Sequence, residues 1–363
     1  MIPTTENPPT KKQAGSCCGN TAQEPAAPCC CPGTPGPAPV IRTASSVITG
    51  KNRWDHFLAR WGVNRMGRII PPGLYRLGNP KKDSPVFASA NYTLSFDALR
   101  SALAGTDAWI LVLDTKGINV WCAAGKGTFG TGELIRRIAV TGLSEVVSHR
   151  EIILPQLGAP GVSAQEVARY SGFSVEYGPV RARDLPAYLA THTATPEMRT
   201  VRFPLADRLV LCPMELEHVL LPMIVVAVAL YFLAGPVAGL AAVAAVLAGT
   251  VLFPALLPYI PTQDFSLKGF ILGAIVAIPF AAAFAQAPGL SGIAQVIAVL
   301  VPFLIIPPVV AYLALNFTGS TTFTSRTGVK KEIFRYVPAM VLMAGAGTIL
   351  GIALGVLRLT GVA

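Results

Sequence analysis

Residues 108–115 have the sequence AWILVLDT, an apolar run that ends in an aspartate and a threonine. A continuous apolar run of this length is typical of a central strand, buried on both faces of a parallel sheet. The surrounding sequence predicts further strands at 84–93, 150–157 and 174–180, and helices at 95–105, 132–143, 163–172 and 181–190. Because strands and helices alternate, we predict a doubly wound α/β domain of four or five strands over residues 84–200.

Ligands of doubly wound sheets bind beyond the carboxyl ends of the strands. The segments that follow the predicted strands are therefore the first candidates for a binding site. They are residues 91–93, 114–126, 155–161 and 178–181.

The C-terminal part of the chain, residues 218–363, has a different pattern. It consists of five long apolar runs, at 220–235, 237–257, 269–286, 292–315 and 336–357. Each run is near the length that crosses a bilayer as a helix, and none has the polar face of a helix in a soluble core. The sequence thus predicts an all-α transmembrane domain of five helices in contact with the lipid bilayer.

Composition and charge placement support a membrane protein. Only 13% of the 363 residues are charged, the formal net charge is +10, and the mean hydropathy is +0.54. The 316–335 connection carries Arg326, Lys330, Lys331 and Arg335, and the connections at 235–236 and 287–291 carry no charge. The positive-inside rule then places the α/β domain in the cytoplasm and the helices in the inner (cytoplasmic) membrane, as a multi-pass protein. We expect no nucleic-acid partner.

The remaining segments are connecting or terminal. Residues 1–40 form a predicted disordered tail, rich in Pro, Gly, Ala and Thr, and residues 201–217 a linker. The tail contains Cys17, Cys18, Cys29, Cys30 and Cys31. Adjacent cysteines suit capture of a soft metal, but a dispensable tail with reduced thiols is the alternative. Residues 41–83 form a basic and aromatic lead-in, whose amphipathic helix lies either on the membrane surface or against the α/β domain.

The segment after the central strand does not form a standard nucleotide motif. A Walker A loop would require Gly at Val120 and Ser or Thr at Gly127. Gly125, Gly127 and Gly130 do match GxGxxG, but about ten residues separate them from the strand, whereas the dinucleotide fingerprint opens directly after it.

The same segment predicts a short helix that carries a cysteine. Asn119 is a good N-cap, and Val120 to Lys126 would form the helix with Cys122 in its first turn. The helix dipole and the charge of Lys126, four residues on, both favour the thiolate form. Ala123, Ala124 and Gly125 are small, so a large flat ligand could approach closely. A buried structural cysteine is the alternative.

The run Asn119-Val-Trp-Cys-Ala-Ala-Gly-Lys126 resembles the cap-helix signature of the corrinoid protein of microbial mercury methylation. The stretches 91–97, 113–117 and 154–161, and the layout of one soluble domain before five spans, are also similar to that family. The soluble part further resembles the corrinoid domain of the corrinoid iron–sulfur protein of the acetyl-CoA pathway. The resemblance covers roughly residues 70–363.

This resemblance implies a cobalamin-type corrinoid cofactor with Cys122 as the lower axial ligand of cobalt. The residues that it assigns to the cofactor site are Asn91, Thr93, Asn119, Val120, Trp121, Cys122, Ala123, Ala124, Gly125, Lys126, Gln156, Leu157 and Gly158. The soft, electron-donating thiolate would weaken the opposite cobalt–methyl bond, while the cofactor carries the chemistry.

The resemblance also implies an activity and partners. A corrinoid-dependent methyltransferase would move a methyl group from a Cys-ligated methylcob(III)alamin to Hg(II), giving methylmercury. A ferredoxin-like protein with two [4Fe–4S] clusters would supply electrons, and a folate-linked methyltransferase the methyl group. Two alternatives stay open. One is a corrinoid methyl carrier of the acetyl-CoA pathway for which mercury is incidental, and the other is a membrane protein for metal handling or transport.

Overall fold

The structure is a computed structural model that describes residues 40–360, apart from residues 291 and 322 and the side chains of Met66 and Arg326. The five cysteines of the predicted tail lie outside the described residues.

A six-stranded mixed sheet forms the centre of the N-terminal part. The strand order is β1-β2-β4-β3-β5-β6, and every neighbouring pair is parallel except β2 and β4, which are antiparallel. The strands are β1 (Ile41–Ala44), β2 (Gly73–Leu77), β3 (Val86–Ala90), β4 (Ala108–Leu113), β5 (Glu151–Leu154) and β6 (Ser174–Tyr177).

Helices cover both faces of this sheet. They are α1 (Gly50–Arg60), α2 (Thr93–Ala102), α3 (Val120–Lys126), α4 (Thr131–Val140), α5 (Leu143–Val146), α6 (Ala164–Ser171), α7 (Leu185–Thr191) and α8 (Pro196–Arg199). Short 3₁₀ helices occupy Arg65–Gly67, Gln156–Gly161 and Ala182–Asp184.

The sheet has two hydrophobic cores because β4 is buried on both faces. Trp109, Leu111 and Leu113 belong to a core that includes Leu134 of α4, while Ile110 and Val112 belong to the opposite core. Strand residues alternate between faces, so an uninterrupted apolar run fills both cores. The α/β fold predicted from residues 108–115 is therefore confirmed.

The sheet extends beyond the predicted strands. The four predicted strands correspond to β3, β4, β5 and β6, and two more, β1 and β2, lie within residues 41–83. This segment is thus part of the domain and more than a lead-in. Strand β1 has four residues that alternate between exposed and half-buried, so it has no apolar run that could identify it. The antiparallel β2 makes the sheet mixed.

The C-terminal part is helical. Its helices are α9 (Leu205–Leu209), α10 (Cys212–Ala234), α11 (Pro236–Leu247), α12 (Phe253–Leu256), α13 (Phe265–Ala285), α14 (Gly292–Phe317) and α15 (Arg326–Leu359). A π-helix, Ala248–Leu252, joins α11 to α12, and a 3₁₀ helix occupies Thr318–Ser320. The predicted linker, 201–217, contains α9 and the first turn of α10.

Within the described part of the chain, five helical segments are long and apolar enough to cross a membrane, judged by length and composition. They are Leu205–Ala234, Pro236–Leu256, Phe265–Ala285, Gly292–Ser320 and Thr327–Leu359. Close packing between α13 and α14 depends on glycine, since a Cβ on Gly269 or Gly273 would lie 2.5 Å from a backbone Cα of α14.

Candidate functional site

A cavity of about 420 Å³ lies at the carboxyl ends of the central strands. The chain passes from β3 to β4 on one side and then to β5 on the other side of β3. This reversal creates the crevice in which doubly wound sheets bind ligands. The walls include residues that follow β3, precede or begin α3, and follow β5, namely Tyr92, Leu94, Ser95, Asn119, Val120, Trp121, Pro155 and Leu157.

The described residues that line this cavity are almost all apolar. Tyr92 is the one titratable side chain among them, and no Asp, Glu, Lys, Arg, His or Cys contributes to the wall. Such a surface suits a bulky, largely apolar ligand that brings its own reactive centre. It offers no acid and base pair for catalysis.

Helix α3 forms over the predicted residues and with the predicted cap. The Asn119 side chain accepts a hydrogen bond from the backbone N–H of Cys122 at 2.9 Å. Gly127 ends the helix in the left-handed region, with φ of +80°. The cap satisfies a backbone donor that the first turn cannot pair internally, and it fixes the backbone of Cys122.

Two glycines let the Gln156–Gly161 segment pack directly on α3 and its C-terminal loop. A Cβ on Gly161 would collide with the carbonyl oxygen of Phe129 and lie 3.0 Å from the Cα of Ala124. A Cβ on Gly158 would lie 2.6 Å from Cε1 of Phe129. Ala123 and Ala124 are buried at this contact. The small residues of α3 therefore lie on two different sides of the helix. Ala123 and Ala124 face the protein, whereas Gly125 is exposed.

Asn91 organises the loop that leads to α3. Its Oδ1 accepts hydrogen bonds from the backbone N–H of Thr115 (3.0 Å), the Thr115 hydroxyl (2.8 Å) and the backbone N–H of Gly117 (3.0 Å). Its Nδ2 donates to Asp114 at 3.2 Å, and the side chain is buried. Asn91 thus ties the end of β3 to the loop after β4. Its contact with a cofactor stays a prediction.

Other predicted site residues are also engaged within the protein. The Thr93 hydroxyl donates to the carbonyl of Arg68 at 3.0 Å, and Thr93 is absent from the described cavity wall. Gln156 accepts from Arg199 at 2.7 Å. Leu157 does line the cavity, together with Tyr92, Pro179 and Val180. The sequence placed these last three in the candidate segments 91–93 and 178–181, but it did not assign any of them individually to the cofactor site.

Cys122 lies in the first turn of α3 as a half-buried free thiol. Its neighbours Val120 and Trp121 contribute to the cavity wall, and Lys126 is exposed one turn further on. Cys212, the other free cysteine that the structure describes, is buried at the start of α10. The described residues contain no group of three or more His, Cys, Asp or Glu that could hold a metal ion.

Comparison with known proteins identifies relatives of the α/β domain. A family model described as CO dehydrogenase/acetyl-CoA synthase delta subunit matches residues 69–189, which include β2 to β6 and α3. The α/β domain is similar to acetyl-CoA synthase subunits.

Curated relatives give the same result. The acetyl-CoA decarbonylase/synthase complex subunit gamma of Methanopyrus kandleri is 34% identical over 123 residues, which are 33% of this chain and 26% of the relative. The subunit gamma of Methanocaldococcus jannaschii is 36% identical over 97 residues (26% and 20%), and that of Archaeoglobus fulgidus 31% over 122 residues (33% and 26%). The chain spans about a quarter of the length of these relatives or less. They favour the one-carbon alternative over mercury methylation.

Proposed function

We propose that this chain is a corrinoid-dependent methyl-transfer protein in which Cys122 binds the cobalt of the cofactor. The observation that carries the proposal is the half-buried thiol of Cys122 on a capped helix beside the apolar cavity at the sheet reversal. The similarity of residues 69–189 to acetyl-CoA synthase subunits supports it, because those complexes assemble acetyl groups.

The donor chemistry of the site fits such a cofactor. A corrinoid holds its cobalt in a large ring, so the protein would need few metal ligands of its own and a wall for a bulky, largely apolar group. Cys122 is a single donor, and the adjacent cavity wall is apolar. A thiolate is a soft ligand suited to transition metals.

The residues around Cys122 would hold its sulfur in place. When bound, the corrinoid supplies a cobalt centre that carries and transfers a methyl group. Asn119 fixes the first turn of α3, and the buried Ala123 and Ala124 fix the helix against the Gly158–Gly161 segment. The exposed Gly125 and Lys126 would face the ring side, where Gly125 permits close approach. Two further residues would act from the strand ends. Asn91 would hold the loop after β4, and Leu157 would form part of the cavity wall.

The methyl acceptor distinguishes two versions of this function. The relatives favour a methyl carrier of the acetyl-CoA pathway that receives its methyl group from a folate-linked methyltransferase. The eight-residue resemblance at 119–126 and the five candidate spans favour methyl transfer to Hg(II), with reduction by a ferredoxin-like protein that holds two [4Fe–4S] clusters. In both versions we place the helical region in the cytoplasmic membrane and the α/β domain in the cytoplasm.

A pair of cysteine variants tests the shared proposal. Full-length protein purified in detergent should bind a corrinoid, and Cys122→Ala should abolish methyl transfer. Cys212→Ala is the matched control, because it makes the same change outside the α/β domain, and it should retain activity. Absence of a bound corrinoid, or full activity of Cys122→Ala, would contradict the proposal.

The two acceptors are separated by a deletion strain. If Hg(II) is the acceptor, loss of this chain should abolish methylmercury formation while growth in mercury-free medium is unchanged. If the chain serves one-carbon metabolism, the deletion should impair growth without mercury, and the Cys122→Ala variant should not restore it.

A further inference from the structure

The exposed face of α1 carries a ladder of aromatic rings. Trp54, Phe57 and Trp61 recur at intervals of three and four residues, which places them on one side of a helix. The ring centroids of Trp54 and Phe57 are 5.3 Å apart and stacked, and those of Phe57 and Trp61 are 6.4 Å apart. Trp54 is 62% exposed and Phe57 is 49% exposed, while Trp61, the C-cap residue of α1, is half-buried. Aromatic area left open in this way is typical of a binding surface.

The opposite face of α1 fixes the helix to the α/β domain. His56 Nε2 lies 2.7 Å from Oδ2 of the buried Asp97 in α2, and Ala59 is buried. Asp55 pairs with Arg68, which is itself buried and bonded to the carbonyl of Val63. The aromatic ladder is therefore presented outward by a firmly held helix.

Basic residues border the ladder on both sides. Lys51, Arg53 and Arg60 are exposed. The helical period places Arg53 and Arg60 along one edge of the aromatic stripe and Lys51 along the other. The one acidic residue of α1, Asp55, is neutralised by Arg68. The face is thus aromatic at its centre and cationic at its margins.

The end of α1 lies beside α10, close to the point where the apolar part of the first candidate span begins. A Cβ on Gly62 would lie 3.2 Å from Oε2 of Glu217 in α10, just before the apolar part of that helix begins at Leu220. Glu215, two residues before Glu217, accepts a hydrogen bond from the Ser320 hydroxyl at 2.6 Å. Ser320 precedes α15, whose first three turns carry Lys330, Lys331 and Arg335. Helix α1 is therefore at the positively charged end of the helical region.

We propose that α1 binds the surface of the membrane, with its aromatic ladder among anionic lipid headgroups. This inference rests on the proposed membrane location of the C-terminal helices. Tryptophan favours the interface between water and lipid, and basic side chains bind the anionic cytoplasmic leaflet. Two attachments, α1 and α10, then hold the α/β domain against the bilayer. The cationic margins and the adjoining span favour lipid over a soluble protein as the occupant.

Tryptophan quenching by brominated lipid tests this contact directly. The four tryptophans are Trp54, Trp61, Trp109 and Trp121, and none lies in the five candidate spans. Full-length protein is reconstituted into vesicles of phosphatidylcholine and phosphatidylglycerol with brominated chains. We expect quenching in the wild type and loss of most of it in the double variant Trp54→Phe, Trp61→Phe. Trp109→Phe, which replaces a buried indole in the sheet, is the matched control and should keep the lipid quenching.

The second experiment varies the charge of the lipid and measures the same quenching. Quenching of the wild type should weaken in vesicles of phosphatidylcholine alone, and Arg53→Gln with Arg60→Gln should weaken it in the anionic vesicles. Insertion is measured in the same samples by resistance to carbonate extraction. If the chain inserts but Trp54 and Trp61 remain unquenched, the inference is wrong while the membrane location stands. Shielding of these residues only after a soluble partner protein is added also overturns it. If the chain does not insert, both are wrong, and cobalt binding by Cys122 is unaffected by either result.

Discussion

The α/β domain and the C-terminal helical region use the same apolar side chains in opposite ways. Ile110 and Leu111 of β4 are both fully buried, although they point to opposite faces of the sheet. Phe232 and Leu233 of α10 are 80% and 83% exposed. A helix that is apolar on every side and exposes large residues is typical of a membrane span. The burial pattern therefore supports the proposed membrane location of the helical region.

Buried charges have partners within the protein in both regions. In the α/β domain, Asp97 pairs with Arg100 at 2.6 Å and with His56, side chain to side chain. In the helical region, Lys268 donates to the carbonyls of Leu257 and Ile260, and Glu332 accepts from the backbone N–H of Ser266. These charges cap helix ends, where the backbone groups lack internal partners. The helices thus extend beyond the apolar runs, and their charged residues lie near helix ends.

Truncation should produce the largest effect. We expect a fragment of residues 40–200 to fold and stay in solution without detergent, because the described α/β domain buries its own two cores. The full chain should aggregate when detergent is removed. Size-exclusion chromatography of both proteins checks this. Aggregation of the fragment to the same extent as the full chain would mean that the two regions do not differ as described.

Asn91→Ala should destabilise that fragment by about 2–3 kcal/mol, since it leaves buried donors of Thr115 and Gly117 without an acceptor. Urea unfolding followed by tryptophan fluorescence measures the change. Thr115→Val removes one hydroxyl donor and leaves Asn91 in place, so its effect should be smaller. Equal effects of the two variants would show that Asn91 does not organise the loop.

Gly161→Ala should cost about 1–3 kcal/mol, because the added methyl group meets the Phe129 carbonyl and the α3 backbone. Gly132→Ala is the matched control, since a Cβ there meets nothing within 4 Å. The control should be neutral or slightly stabilising in α4. Urea unfolding of the fragment measures the free energy of unfolding of both variants. A Gly161→Ala variant as stable as the control would contradict the close packing of α3.

Of the four predicted effects, the dependence of stability on alkaline pH should be the smallest. Burial and the hydrogen bond to Glu176 raise the pKa of Tyr188 above its ordinary value near 10. The stabilisation by the neutral phenol is complete below that ordinary value and is lost as the pH rises through the raised pKa. Tyr188→Phe should therefore lose stability less steeply than the wild type above pH 10.

Thermal unfolding of the fragment across this range measures the difference. Burial also raises the pKa of Tyr75 and Tyr177, so the variant should remove only part of the dependence. Tyr170→Phe, at an exposed position, is the control and should follow the wild type. A parallel alkaline profile for Tyr188→Phe would show that this phenol does not contribute.

Local signals predicted much of the fold and of α3. The apolar run 108–115 identified a strand buried on both faces, and the Asn119 cap identified the start of α3. Strands β1 and β2 were not predicted, because their place depends on pairing with distant residues rather than on their own short sequences. The same limit applies to Asn91. Its type and place at a strand end suggested ligand contact, but only the fold reveals that its hydrogen bonds go to residues 114–117.

The most direct measurement is X-ray absorption at the cobalt edge of the full-length protein with its corrinoid bound. We expect one sulfur neighbour of cobalt in the wild type and in Cys212→Ala, and none in Cys122→Ala. A nitrogen or oxygen in that position in the wild type, or a sulfur that persists in Cys122→Ala, would contradict the assignment of Cys122.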